Sequence, residues 1–407
     1  MAEASPVSTF VTFSGDRLPV ILRAVLDRHP SLRAFEARAG ASGERTRDRL
    51  QRPNPEVQAD VGGAGPFDEV VGGLELALPL RPSGQVSAVR ASGTAERAVI
   101  AGECGLTRAG LLGEAASAYA DLLAAFDRGA LAAEELEVAR GFETHARRRA
   151  ELALAGDLPA LQAEVLVREA EARRDEADGQ ARSARARLEA LLATAPGEPS
   201  ALPDSLAGTS ASEWERLISL PAAFQQLSGE GAPALTAARA RAEAARLEVD
   251  VVRATRRAAP RVGVRAERDT GGEFKLFALA GIALPLFTKA GPAVAAAEAE
   301  ADAALLQVAA DSLALAGEVN SALAEYAAAR RILADLEAET LPRAERLEAA
   351  ARVNSEQGAA GFVLWLEARR SYIDLRSRAV DLRLRAAQAA LRLRRATGDF
   401  DPLLEES

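Results

Sequence analysis

The chain has 407 residues, of which 48% are hydrophobic but only 4% are aromatic. Its net charge of −9 argues against a nucleic-acid-binding protein, and a single cysteine excludes a disulfide framework. Alanine, leucine, glutamate and arginine dominate, a composition typical of long helices packed as coiled coils.

No catalytic or metal-binding arrangement is present in the sequence. His29 lies at a helix start, and His145 lies on a charged helical face. No glycine-rich phosphate loop follows a strand, and no carboxylates recur at metal-binding spacing. We therefore expect no enzyme activity, no cofactor and no bound metal.

The chain is an internal duplication at an offset of 202 to 207 residues. PEV at 55–57 resembles PRV at 260–262, LALPL at 76–80 resembles IALPL at 282–286, and Tyr119 falls opposite Tyr326. The predicted domains are an N-terminal extension over 1–17, a first repeat over 18–194, a linker over 195–232 rich in Pro, Ser and Gly, a second repeat over 233–398 and a tail over 399–407.

Each repeat begins with a helix of about 30 residues, over 16–50 and 233–257. Two strand-like segments follow, then a helix of about 65 to 70 residues with apolar residues at heptad spacing. In the first repeat this spacing runs through Asp127-Arg128-Gly129, so we expect no hairpin there. A helix of about 38 residues returns over 158–194 and 361–397. Pro342, inside the second long helix, predicts a bend.

Apolar and polar residues alternate along the strand-like segments. Pro66 and Gly271-Gly272 mark the turns between the paired strands. Four segments of about ten residues match membrane-spanning strands, but four strands cannot close a barrel, and an open edge is not viable in lipid. Three chains would supply twelve strands. The side chains predicted to line the lumen of such a barrel are Glu56, Gln58, Asp60, Glu75, Arg265 and Glu267. Two hairpins that cap a soluble coiled coil are the alternative.

Several motifs resemble the TolC family of outer-membrane channel-tunnels, the outer membrane efflux proteins, over about residues 18–398. They are PNPEV, LALPL and IALPLF, the GDLP and GAAGFVLWLEARRSY turns, and the LPRAERLEAAARVNSEQG approach. PNPEV, PLFTKAGPAVAAAEAEA and LPRAE are most similar to the branch that serves heavy-metal efflux pumps.

The resemblance implies a mainly α fold with a small β part. Long helical hairpins would form a trimeric helical barrel across the periplasm, and four strands per chain would contribute to a 12-stranded barrel in the outer membrane. The homotrimer would passively conduct substrates delivered by an inner-membrane pump and a periplasmic adaptor, in tripartite efflux or type I secretion.

Functional positions also follow from the resemblance. Adaptor contact at the helix-turn tips maps onto Gly156, Asp157, Leu158, Gly358, Ala359 and Ala360. Family entrance constrictions map onto Leu364 and Glu367. The second would form an acidic ring and the first a hydrophobic constriction. The alternative for Glu367 is an ion pair with Arg369 or Arg370.

A soluble coiled-coil scaffold without channel activity is the competing function. The first 16 residues contain neither a basic nor an apolar signal-peptide region, which favours the scaffold. The period-two strands before each long helix favour the channel.

Overall fold

A computed structural model of the chain describes residues 17–64, 69–152, 158–193, 210–220, 231–268, 271–283, 291–355 and 359–405. The elements of the first half are α1 (Arg17–Arg28), α2 (Pro30–Arg49), β1 (Glu56–Ala64), β2 (Glu69–Pro79), α3 (Gln85–Glu151), α4 (Leu158–Leu191) and α5 (Ser210–Ile218). Those of the second half are α6 (Pro233–Thr255), β3 (Ala259–Arg268), β4 (Phe274–Ala283), α7 (Gly291–Asp335), a π-turn (Leu336–Thr340), α8 (Leu341–Ser355), α9 (Ala359–Thr397) and α10 (Asp401–Leu404).

The predicted fold class, mainly α with four strands, is confirmed. Helix α3 is 67 residues long and passes through Gly129 without a break, as its heptad pattern predicts. In the second repeat, α7, the π-turn and α8 form one continuous helical run, and the π-turn ends two residues before Pro342. The returning helices α4 and α9 are also present.

The single helix predicted over 16–50 is wrong, because α1 and α2 are separate helices that break at His29. Pro30 has no N–H to continue α1, but it fits the first position of a new helix. The main-chain N–H of Ser31 donates a 3.3 Å hydrogen bond to Nδ1 of His29. His29 therefore has a structural role at a helix start.

The chain forms two compact units, and each combines parts of both sequence repeats. The first comprises Met1–Leu32, Thr107–Ala232 and Ala314–Ser407, and the second comprises Arg33–Leu106 and Pro233–Leu313. The repeats therefore do not fold as separate domains.

The core of the first unit includes residues from the segments predicted as linker and tail. Trp214 and Leu217 of α5 are buried against α3, and the Trp214 indole donates a 2.8 Å hydrogen bond to Asp127. Phe400 and Leu403, in the predicted tail, are also buried. Both segments contribute to the packing of this unit.

The second unit contains the sheet together with α2, α6 and the adjoining parts of α3 and α7. Helices α3 and α6 pack closely at Gly102, where an added Cβ would lie 2.9 Å from the Cα of Ala237. Only glycine fits this approach without a shift of the backbone.

Candidate functional site

The four strands form one antiparallel sheet in the order β1-β2-β3-β4. Val57 lies opposite Leu76, which in turn lies opposite Val264. The turn between β3 and β4 contains Gly272 at φ +85°, a conformation that favours glycine. The predicted strands and the β3–β4 turn are confirmed, whereas Pro66, predicted to mark the first turn, lies outside the described residues.

One face of this sheet is apolar and exposed. Along β2, Leu74 and Leu76 are 54% and 51% exposed, whereas Ala77 on the other face is 5% exposed. The same face carries the exposed side chains of Val57, Val61, Leu78, Val262, Val264, Leu276 and Ile282. A sheet in a water-soluble protein has the opposite distribution, because its apolar face is covered by the core and its polar face is exposed.

The opposite face holds a charged cluster centred on Arg265. The Arg265 guanidinium lies 2.8 Å from an oxygen of Asp60, 2.7 Å from Glu267 and 3.8 Å from Glu75. Gln58 lies opposite Glu75 in the strand register. The structure therefore brings five of the predicted lumen residues onto one face.

The strand register places the sixth predicted lumen residue, Glu56, on the same face, opposite Ala77. Lys275 and Phe277 of β4 also belong to this face, opposite Glu267 and Arg265. The sequence analysis missed both, because β4 is a nearly continuous apolar run without visible alternation. Extending the pairing of β3 to β4 would have found them.

Glycines give the charged cluster the room it occupies. A Cβ added to Gly73 would lie 2.9 Å from a carboxylate oxygen of Asp60. A Cβ added to Gly263 would lie 2.8 Å from the carbonyl oxygen of Leu76. Glycine at these two positions therefore permits close approaches on the charged face that a larger side chain would block.

The predicted helix tips are described in part. Leu158 begins α4 and is 67% exposed, and Ala359 and Ala360 begin α9. The other three predicted tip residues, Gly156, Asp157 and Gly358, lie outside the described residues. Leu158 continues into an exposed apolar stripe with Leu161 and Val165, at the 3,4 spacing of a coiled-coil seam.

Beside this stripe, the first unit has a cleft of about 540 Å³. Its apolar lining includes Phe142, Leu161, Val165 and Leu366, and its polar lining includes Glu367 and Arg370. Glu367 therefore faces a half-apolar cleft within one chain.

Arg369 and Arg370, the neighbouring arginines, form ion pairs with carboxylates other than Glu367. Arg369 pairs with Glu134, and Arg370 lies 3.1 Å from Glu169. Leu364, the other predicted constriction residue, is exposed.

Helices α3 and α9 are joined by a charged network centred on Glu134. Its carboxylate accepts hydrogen bonds from Arg369 and from Arg376, the second at 2.6 Å. Partial burial raises the pKa of Glu134, but the two arginines outweigh burial and hold that pKa below its usual value. Tyr372 lies between the two guanidinium groups, 6.0 and 5.6 Å from its ring centre. The network makes Glu134 a fixed negative charge.

In the described part of the chain, no helix is both long and apolar enough to cross a membrane. The same residues contain no group of three or more His, Cys, Asp or Glu side chains that could hold a metal ion.

Residues 226–399 match the family model of the outer membrane efflux proteins. No curated protein matches the chain significantly.

Solved structures with the same fold match nearly the whole chain. CusC, whose structures concern folding and transmembrane channel formation, is 17% identical, with a TM-score of 0.74 over 98% of this chain and 95% of its own. The outer-membrane protein VceC of Vibrio cholerae is 19% identical, with a TM-score of 0.72 over 94% of this chain and 96% of its own. The MtrE outer-membrane channel of Neisseria gonorrhoeae is 18% identical, with a TM-score of 0.71 over 94% of this chain and 89% of its own.

Proposed function

We propose that the chain is an outer membrane efflux protein of the TolC type and the channel-tunnel of a tripartite efflux system, a proposal that the family match over residues 226–399 and the fold support. In this role it conducts substrates passively from the periplasm to the exterior. The observation that carries the proposal is the sheet, whose large aliphatic side chains are exposed while its charged side chains cluster on the other face. Lipid outside and water inside account for that distribution.

The proposed assembly is a homotrimer. The sheet is four-stranded, with β1 and β4 as its edges. Strand edges are not viable in lipid, so the edges have to pair with other copies. Three copies supply twelve strands, an even number within the range of bacterial outer-membrane barrels.

The proposed partners are a periplasmic adaptor and an inner-membrane pump. The exposed stripe of Leu158, Leu161 and Val165 on α4 supports adaptor docking near the tips. An apolar stripe at heptad spacing is the surface on which another helix packs. Gly156, Asp157, Gly358, Ala359 and Ala360 complete the proposed contact.

At the periplasmic entrance, we assign Leu364 and Glu367 to the constriction. Three copies of Glu367 around a threefold axis would favour cations, and three copies of Leu364 would form an apolar ring. A heavy-metal efflux pump as the partner remains a prediction from the sequence motifs.

The test is fractionation of a Gram-negative host that exports the chain, with extraction of the envelope in mild detergent. We expect the protein in the outer-membrane fraction with the mass of a trimer, and stepwise currents when it is added to a planar lipid bilayer. A detergent-independent soluble species would overturn the proposal and favour the scaffold.

A further inference from the structure

The links between strands and helices all lie at one end of the sheet. Glu56, the first residue of β1, pairs with Ala77 near the end of β2. Ala259, the first residue of β3, pairs with Ala283, the last residue of β4. We call this the helix end of the sheet, because α2 and α6 lead into it and α3 and α7 lead out of it.

The links at the helix end are basic, although the whole chain has a net charge of −9. The sequence has no acidic residue between Glu75 and Glu96, and none between Asp250 and Glu267. Four arginines lie in the links and form what we call the basic rim: Arg52 between α2 and β1, Arg81 between β2 and α3, and Arg256 and Arg257 between α6 and β3.

Hydrogen bonds to main-chain carbonyls hold two of these arginines in place. Nη2 of Arg81 donates to the carbonyl of Arg49 at 2.9 Å, and Nη1 of Arg257 donates to the carbonyl of Ser83, also at 2.9 Å. A guanidinium has five N–H donors, so donors beyond these contacts are left for an anion. The contacts also tie the links to one another, which keeps the four charges together.

No carboxylate within the described residues neutralises the basic rim. Elsewhere on the sheet the basic side chains are paired, as Lys275 is with Glu273 at 3.6 Å. Arg52, Arg81, Arg256 and Arg257 have no such ion pair among the residues that the structure describes. Three of them are exposed and Arg81 is half-buried. The basic rim is therefore a patch of uncompensated positive charge that a ligand can reach.

The exposed apolar face of the sheet extends to the basic rim. Its exposed side chains nearest the helix end are Val57, Leu78, Leu80, Val262 and Ile282. Leu80 directly precedes Arg81 in the chain. Apolar side chains followed at once by cationic ones match the border between the hydrocarbon of a membrane and its phosphate groups.

We propose that the basic rim binds the phosphate groups of anionic phospholipids, in the membrane leaflet nearer the helices. The planar guanidinium suits a phosphate, to which it can donate two parallel hydrogen bonds. The acyl chains of the same lipid would lie along the apolar face. This inference rests on the proposed function, because it needs the sheet to lie in a membrane.

The test is native mass spectrometry of the protein in a non-ionic detergent, titrated with dioleoyl phosphatidylglycerol or with zwitterionic dioleoyl phosphatidylcholine. We expect the wild type to bind the first lipid at least about fivefold more tightly, the factor per arginine near an anionic surface. The double variant Arg52→Gln, Arg256→Gln should bind phosphatidylglycerol about 30-fold more weakly than the wild type. Both side chains are exposed, so folding should not suffer.

The matched control is Arg97→Gln with Arg108→Gln, which removes the same charge from exposed positions of α3. Both positions lie at least about 18 Å from the start of that helix, at 1.5 Å per residue, and the variant should bind like the wild type. Arg52→Lys with Arg256→Lys keeps both charges and should retain most of the affinity.

A trimer that binds the two lipids equally, or that loses equal affinity in the α3 control, would overturn the basic rim and leave the proposed function intact. Displacement of phosphatidylglycerol by inorganic phosphate at equal concentration would show a site for free anions and overturn the lipid assignment. A species that is soluble without detergent would overturn the proposed function first, and the lipid site with it.

Discussion

Arg394 of α9 is fully buried, and its guanidinium donates a 2.7 Å hydrogen bond to the main-chain carbonyl of Ser219, directly after α5. It also donates a 3.3 Å bond to the carbonyl of Asp399. One side chain therefore holds the end of α5 and the start of the C-terminal segment against α9. Burial lowers the pKa of the Arg394 guanidinium.

Arg394→Met should destabilise the first unit. The methionine fills much of the volume but leaves the carbonyls of Ser219 and Asp399 without this donor, at a cost of about 1.5–3 kcal/mol for each hydrogen bond that the charged guanidinium makes. The measurement is the thermal unfolding midpoint in mild detergent. Arg395→Met, at the exposed neighbouring position, is the matched control. Equal midpoints for the two variants would show that the Arg394 contacts contribute nothing to stability.

Glu134 should make stability depend on pH in the acid range. Because its pKa is held low in the folded protein, its carboxylate stabilises the fold above the unfolded-state pKa of about 4.5, and this contribution is lost as the pH falls through the lower folded value. Glu134→Gln should therefore unfold at a lower temperature than the wild type at pH 7, and the difference should shrink below about pH 4.5.

The control for this experiment is Glu137→Gln, one turn along α3 at an exposed position. It should leave the midpoint nearly unchanged at both pH values, since an exposed carboxylate contributes little. A difference between Glu134→Gln and the wild type that stays constant from pH 7 to pH 3.5 would contradict the role of the two arginines.

The sequence predicted the long helices and the strands well because their periods are local. The 3,4 spacing through Gly129 outweighed the turn-like Asp127-Arg128-Gly129 segment, and α3 is continuous there. The break at His29 and the burial of α5 were missed. Helix α5 is short and contains only four apolar residues, Trp214 among them. The Pro, Ser and Gly residues around it in the sequence therefore predict a linker.

The charged cluster could be predicted only in part. Period-two alternation assigns Asp60, Glu75 and Arg265 to one face. Arg265 can pair with Asp60 and Glu75 only because of the register between β2 and β3. These two strands are almost 200 residues apart in the chain. No local signal contains that register.

Arg265→Gln should shift ion selectivity toward cations. The substitution removes the guanidinium that lies within 4 Å of Asp60, Glu75 and Glu267, so three carboxylates per chain lose a counter-charge that they share. The measurement is the reversal potential across a bilayer in a potassium chloride gradient. Arg268→Gln, at the end of β3 and on the other face by register, is the control and should not shift it. Equal reversal potentials for the two variants would place Arg265 outside the conducting path.

Leu76→Arg should block membrane assembly. Leu76 lies between Val57 and Val264 on the exposed apolar face, and an arginine at the membrane midplane costs about 2–4 kcal/mol in each copy. Gln58→Arg is the matched control, because it adds the same side chain opposite Glu75 on the charged face, where water and a carboxylate receive it. We expect Leu76→Arg to be lost from the outer-membrane fraction and Gln58→Arg to assemble as a trimer. If Gln58→Arg failed and Leu76→Arg assembled, the two faces of the sheet would have to be exchanged.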